Sequence, residues 1–245
     1  RDVAVTGVQT CALPIFSLYG DLLSSVDQWF GRSMRFAGKS VVCGQGCSSC
    51  CRGLFDITLL DAVFLKEGFD GLPAVVRLPV LEQAEKRCAE FRSVWPEFSP
   101  PYILNVRPEE EWDVLMPDDD ETPCPLLGED GGCLVYRYRP MTCRLHGIPL
   151  IDTSGEMFHD EWCTLNFPNE DPLVLEGLRW GFRECFQEEL KLFQIFTDIL
   201  LNQRIRELDT FIPSALLMDY REFDWKTWWW KNCGRITTAG SQENR

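Results

Sequence analysis

The sequence predicts a mainly helical protein with a small β-hairpin and an irregular, cysteine-rich segment packed on the helices. Several stretches repeat apolar residues at helical spacing, and GEDGG separates two short apolar runs. The run CGQGCSSCC, residues 43–51, contains four cysteines in nine positions. The chain has 245 residues, 45% hydrophobic and 25% charged, which is an ordinary globular composition with enough apolar side chains for a sizeable core.

The first fifteen residues match the translation of a common sequencing adapter. The stretch VTGVQTCALPI, residues 5–15, is what that oligonucleotide encodes. We therefore predict that residues 1–15 are read-through and that the native sequence starts near Phe16. Cys11 is then not counted among the native cysteines, and a native signal peptide before Phe16 would be missing from this sequence.

Helical spacing and capping residues predict the elements around the cysteine run. Residues 16–36 form an amphipathic pattern that leads into it. After the run, FDIT predicts a short extended piece, and Thr58 or Asp61 is expected to cap a helix that reaches about Glu67. A further helix is expected over residues 79–94, with one apolar stripe.

The second half of the chain alternates loops with helical patterns. The acidic, proline-rich residues 96–123 predict a loop, and the two apolar runs around GEDGG predict a hairpin. Pro140 suits the start of a short helix that holds Cys143. Residues 171–208 predict the longest helix, because apolar side chains recur on one side.

Two native parts follow from this pattern. Residues 16–170 are expected to form a cysteine-cluster domain, and residues 171–232 a helical C-terminal part packed on it.

Eight cysteines lie in predicted loops or short connections, where ligands usually sit: Cys43, Cys47, Cys50, Cys51, Cys124, Cys133, Cys143 and Cys163. Cys88 and Cys185 instead fall on apolar helix stripes and are expected to be buried. Disulfides suit small secreted domains without a core, which does not describe this chain. Closely spaced thiolates can converge on one ion, so the eight cysteines predict a metal-binding centre with one site or two four-ligand sites.

These motifs resemble the YkgJ-type cysteine-cluster family, described as a zinc- or iron-chelating CxxCxxCC domain. The similarity is carried by CGQGCSSCC, by the C-P dipeptide at Cys124, by CLVY from Cys133 and by RPMTCR around Cys143. It spans about residues 40–165. The resemblance implies that the cysteines of these motifs hold a [4Fe-4S] cluster or zinc, in a protein labelled an iron-sulfur oxidoreductase.

The spacing of the first three cysteines also fits radical S-adenosylmethionine enzymes, in which C-x₃-C-x₂-C holds a [4Fe-4S] cluster. Cys43, Cys47 and Cys50 match that spacing. However, Ser49 stands where those enzymes usually have an aromatic residue, and no strand–helix alternation typical of their barrel follows. Such an enzyme in atypical form, or a structural zinc-binding interaction module, is the alternative to a metalloprotein with a redox or electron-transfer role.

Three further side chains near the third motif are candidates for the site. Arg139 and Arg144 could bind a cofactor by donating hydrogen bonds to cluster sulfurs, or could pair with nearby carboxylates. His146 follows Cys143 by three residues and is a candidate metal ligand. No catalytic residue is predicted.

The formal net charge of −14 argues against nucleic acid and anionic membranes as partners, because both need a basic surface. No apolar run reaches the roughly 18 residues of a membrane span. We expect a cytoplasmic protein with a small-molecule or protein redox partner.

Overall fold

A computed structural model describes residues 7–44, 46–117 and 120–236. The prediction of a mainly helical chain is confirmed. The helices are α1 (Gly7–Ala37), α2 (Leu59–Asp70), α3 (Ala74–Val94), α4 (Met141–Leu145), α5 (Phe182–Leu201), α6 (Ile212–Leu217) and α7 (Trp225–Asn232). The strands are β1 (Asp56–Thr58), β2 (Leu150–Ile151), β3 (Met157–His159) and β4 (Asp209–Phe211).

Helix α1 confirms the amphipathic pattern of residues 16–36 and begins earlier, at Gly7. Tyr19, Val26 and Trp29 lie on its buried face. Ile15 is also buried, at 3% exposure, so the helix continues unbroken across the expected native start near Phe16. The read-through origin of residues 1–15 stays a prediction, and residues 1–6 lie outside the described part of the chain.

The prediction of a single long helix over residues 171–208 is wrong. Residues 172–178 form two short 3₁₀ turns, and α5 starts only at Phe182. A Cβ on Gly177 would overlap the ring of Phe36, so glycine lets this segment pack closely against α1. At the other end Asn202 adopts the left-handed conformation, with φ of 57°, and terminates α5.

Helices α1 and α5 pack against each other through an aromatic cluster. The Trp29 ring stacks on Trp180 at 6.1 Å between centroids and meets Phe182 edge-on at 4.9 Å. The Trp29 indole Nε1 donates to the Leu178 carbonyl oxygen at 2.8 Å. This hydrogen bond satisfies the only polar atom of a buried indole and ties the 3₁₀ segment to α1.

The described strands form two antiparallel pairs, and neither pair lies at the hairpin predicted around GEDGG. Strand β1 pairs with the distant β4, with Asp56 opposite Phe211, and β2 pairs with β3. The hairpin predicted around GEDGG is present as one antiparallel bridge between Leu127 and Cys133. The small-hairpin prediction is therefore confirmed, with less strand than expected.

The expected cap and stripe are also confirmed. The Thr58 hydroxyl oxygen accepts from the Asp61 backbone N–H at 3.1 Å and caps α2. Ala84, Cys88 and Phe91 form the buried stripe of α3. Among the helices that the structure describes, none combines the length and apolarity needed to cross a membrane.

Candidate metal centre

The cysteine run folds as two tight turns, and the first turn packs against the GEDGG hairpin. Cys47 N donates to Gly44 O at 3.0 Å, and Cys51 N donates to Ser48 O at 2.9 Å. A Cβ on Gly131 would lie 2.6 Å from the Gly46 carbonyl oxygen, and Gly131 has φ of +77°. Only glycine fits at Gly131, because both the close approach and the positive φ exclude a side chain.

The end of the run pairs with the segment that begins the second motif. Cys124 N donates to Cys51 O at 2.9 Å, and Gly53 N donates to Thr122 O at 2.9 Å. An antiparallel bridge between Arg52 and Pro123 lies between these bonds. The backbone therefore fixes Cys124 beside Cys51, although they are 73 positions apart in the sequence.

The hairpin and α4 bring two more cysteines to Cys51. Leu127 N donates to Cys124 O at 2.9 Å, which turns the chain into the bridge at Cys133. Burial raises the pKa of Cys124 to about 11, and negative charge on Cys133 adds to that rise. Burial also raises the pKa of Cys143, with further contributions from Cys124 and Cys133. Negative charge on one of these thiols therefore opposes ionisation of its neighbours.

Cys43 and Cys163 are brought together by a buried amide that sequence reasoning missed. Asn166 is 1% exposed. Its Nδ2 donates to Gly147 O at 2.7 Å and lies 3.3 Å from Cys43 Sγ, while its Oδ1 accepts from Val42 N at 2.9 Å. Cys163 N approaches Gly147 O at 3.4 Å. Asn166 thus holds the start of the run against the loop of Cys163.

Gly147 makes this approach possible. It has φ of +107°, and a Cβ at this position would lie 3.4 Å from Cys43 Sγ and 4.0 Å from Cys163 Cβ. Burial raises the pKa of Cys43, the hydrogen bond with Asn166 opposes that rise, and charges on Cys47, Cys163 and Cys50 add to it.

The eight cysteines therefore fall into two neighbouring sets. The first cysteine set surrounds Cys43, and the second cysteine set surrounds Cys51. The first comprises Cys43, Cys47, Cys50 and Cys163, and the second comprises Cys51, Cys124, Cys133 and Cys143.

The adjacent residues Cys50 and Cys51 join the two sets. The hydrogen bond between their thiols raises the pKa of Cys50 and lowers that of Cys51. All eight cysteines are free thiols. Within residues 7–44, 46–117 and 120–236, no three His, Cys, Asp or Glu side chains are arranged to hold a metal ion. The backbone groups the thiols, but the sulfurs do not converge on one point in this conformation.

The two predicted cofactor-binding arginines form an ion-pair network beside the second cysteine set. Arg139 Nη2 lies 2.9 Å from Asp27 Oδ1 on α1, and Arg144 Nη1 pairs with Asp27 Oδ2. Arg144 is 3% exposed and also donates to the carbonyl oxygens of Arg137 and Arg139. The carboxylate pairing expected as the alternative is present, and the positive charge of Arg139 opposes the raised pKa values of Cys50, Cys133 and Cys143.

Asp61 positions the helix that carries Cys143. The carboxylate is 2% exposed and accepts from the Tyr19 hydroxyl at 2.7 Å and from Met141 N at 3.0 Å. Burial raises the pKa of Asp61 to about 6, while these hydrogen bonds and the Arg144 charge oppose the shift. Asp61 thus joins α1, α2 and the first residue of α4.

The remaining candidates lie apart from these contacts. His146 follows α4 at the surface, and its ring meets Phe55 at 6.0 Å. Partial burial and the charge of His159 lower the pKa of His146. Its role as a ligand stays a prediction. Cys88 and Cys185 are buried, at 0% and 4% exposure, as their helix stripes predict.

A cavity of about 400 Å³ opens elsewhere, between α2 and the segment after α6. Its walls combine apolar and charged side chains, among them Val63, Lys66, Met218 and Arg221, and include no cysteine. It is therefore separate from the candidate metal centre.

Comparison of this chain with protein-family models, with curated proteins and with solved structures finds no match. The resemblance to the YkgJ-type family accordingly rests on the cysteine motifs themselves.

Proposed function

We propose that this protein binds a metal through its clustered cysteines, as a [4Fe-4S] cluster or zinc. The observation that carries the proposal is that remote cysteine segments meet the run at residues 43–51. Cys124 N donates to Cys51 O, and Gly131, two residues before Cys133, approaches Gly46. At the other end of the run, Cys43 Sγ lies against Gly147, four residues after Cys143, and against Asn166, three residues after Cys163. Core packing does not explain this grouping. Cysteines that serve the core, such as Cys88, lie on the buried stripe of a helix, whereas these thiols lie in loops and short connections.

The donor set suits soft or borderline metal ions. Zinc and iron–sulfur centres are both held by cysteine thiolates, commonly four to a centre. Close thiolates repel one another, and a bound cation would offset that repulsion. Arg139 supplies a fixed positive charge nearby, so it supports the same anionic sulfurs and would act as a hydrogen-bond donor beside the centre.

With iron, the proposed role is redox or electron transfer with a small-molecule or protein partner. With zinc, it is a structural interaction module. We favour the cytoplasm, because so many free thiols persist in a reducing compartment. The net charge of −14 supports a partner other than nucleic acid or anionic lipid.

Anaerobic purification followed by metal analysis and a visible spectrum tests the proposal. Stoichiometric iron with broad sulfur-to-iron charge-transfer absorption supports the redox role, and stoichiometric zinc without visible absorption supports the structural role. A protein that is folded, reduced and free of both metals, and that takes up neither on reconstitution, would refute metal binding. The variant Cys88→Ala is the matched control, because it removes a thiol outside both cysteine sets.

A further inference from the structure

We propose that the chain holds two metal centres, one in each cysteine set, and that the adjacent residues Cys50 and Cys51 serve different centres. The inference rests on the proposed function and goes beyond it by assigning every ligand. The first centre uses Cys43, Cys47, Cys50 and Cys163, and the second uses Cys51, Cys124, Cys133 and Cys143.

The two sets are built on different backbone frames. Cys51 is tied to the second motif by the bond from Cys124 N at 2.9 Å and by the bridge of Arg52 with Pro123. Cys43 is tied to the Cys163 loop through Asn166 and Gly147. The two frames adjoin, because Gly147 follows α4 and Gly131 of the hairpin approaches Gly46. Their anchoring contacts are nevertheless distinct, since Cys51 is bonded to Cys124 and Cys43 is held beside the Cys163 loop.

The number of ligands fits this division. A structural zinc site and a four-iron cluster each take four protein ligands, so eight thiolates fill two centres without a surplus. A single centre would leave four of the eight thiols without a role beside it. Cys50 is assigned to the first centre by the number of ligands, because the second set has four members without it and the first has only three.

Adjacent residues can serve separate centres because their side chains leave the backbone in different directions. The turn from Ser48 to Cys51 is closed by a 2.9 Å backbone bond. No three of the described thiols converge on one point in this conformation, so loading requires cysteine side chains to rotate while the backbone frames stay in place. Each thiol that binds a metal releases its proton to solvent.

Zinc titration of the reduced protein, followed by alkylation and mass spectrometry, tests the division. We expect the wild type to bind two equivalents and to protect all eight cysteines. Cys50→Ser should bind one tight equivalent and expose Cys43, Cys47 and Cys163 to alkylation. Cys51→Ser should instead expose Cys124, Cys133 and Cys143. The two adjacent variants are matched controls for each other.

Binding of one equivalent by the wild type, or release of the same cysteines by both variants, would overturn the two-centre assignment and leave metal binding intact. Binding of no zinc or iron would overturn the proposed function itself. If the variants at residues 50 and 51 do not fold, Cys163→Ser and Cys133→Ser provide the same contrast at the far end of each frame.

Discussion

The side-chain amide of Asn166 lies against the thiol of Cys43, with 3.3 Å between Nδ2 and Sγ. The amide also donates to Gly147 O and accepts from Val42 N, so the backbone on both sides sets its orientation. It is nearly inaccessible to solvent. A buried N–H group aimed at a sulfur favours the thiolate and fixes the position of that sulfur.

Replacement of Asn166 should therefore weaken metal binding more than its effect on stability explains. We expect Asn166→Ala to lower metal affinity by about 10-fold or more, the usual effect of removing a hydrogen-bonding partner of a ligand. Asn166→Asp should lower it further, because a carboxylate cannot donate to sulfur. Competition with a chromophoric chelator measures the affinity. Asn105→Ala is the control, since Asn105 is also buried but bonds to Asp209.

Unchanged affinity in both Asn166 variants, with a melting temperature as low as that of Asn105→Ala, would mean that Asn166 serves the fold alone.

The two arginines beside the second cysteine set should separate into different roles. Arg144→Met is expected to cost about 3 kcal/mol of unfolding free energy, because two backbone carbonyls lose their side-chain donor and Asp27 loses one of its two arginine partners. Arg139→Gln should cost less stability and lower metal affinity, because its charge faces both sets. Urea unfolding and metal titration measure the two effects. Equal losses of both quantities in the two variants would contradict this separation.

The sequence predicts the local features of this fold well, because they depend on neighbours a few residues apart. The helical stripe of residues 16–36 and the Thr58 cap are examples. The helix predicted from residue 171 is absent before Phe182, where Gly177 packs against the distant Phe36 ring. Apolar periodicity alone gives no sign of such a contact.

The site shows the same limit. The cysteines could be recognised from their crowding and loop positions. Their number also allowed two four-ligand sites as one of the alternatives. The roles of Asn166 and Asp61 could not, because a polar residue becomes a buried hydrogen-bonding partner only through long-range packing. The position of Asn166 three residues after Cys163 is the single sequence signal that could have drawn attention to it.

The cysteines of the helix stripes should be dispensable for metal binding. Burial raises the pKa of both Cys88 and Cys185 to about 12, so they remain neutral thiols within the core. Cys88→Ala and Cys185→Ala should each cost about 1 kcal/mol as small cavities and leave metal content unchanged. Thermal unfolding and metal analysis check both expectations. Loss of stoichiometric metal in either variant would show that a ligand had been taken for a core residue.

Glu189 on α5 should make stability fall as pH rises. Burial, with the charge of Asp61 as a smaller cause, raises the pKa of Glu189 from 4.5 to about 8. Between these values the folded chain binds a proton that the unfolded chain has lost. The stability from this group is therefore complete below about pH 4.5 and is lost as pH rises through about 8.

Glu189→Gln should remove this dependence. We expect the variant to melt about 3 °C or more above the wild type near pH 8.5 and to match it near pH 5. Glu188→Gln is the control, because Glu188 is exposed and pairs only at the surface with Lys191. Parallel pH profiles for wild type and Glu189→Gln would place the titrating group elsewhere.

Removal of the metal should loosen the cysteine segments before the long helices. Residues 43–53 and 124–146 are held by few backbone hydrogen bonds and by single bridges, one from Arg52 to Pro123 and one from Leu127 to Cys133. Bound metal would therefore contribute much of their local stability. Helix α5 is instead held by apolar packing on α1, as the contacts of Trp29 with Phe182 illustrate. We expect chelation to raise amide exchange in both cysteine segments while α5 keeps its protection.

Hydrogen exchange with and without metal measures this effect. Cys43→Ser provides a control, in which the chelator should change only the segments of the second cysteine set. Equal protection in the loaded and stripped proteins would mean that the metal does not couple these segments, and loss of protection throughout α5 would mean that it supports the whole core.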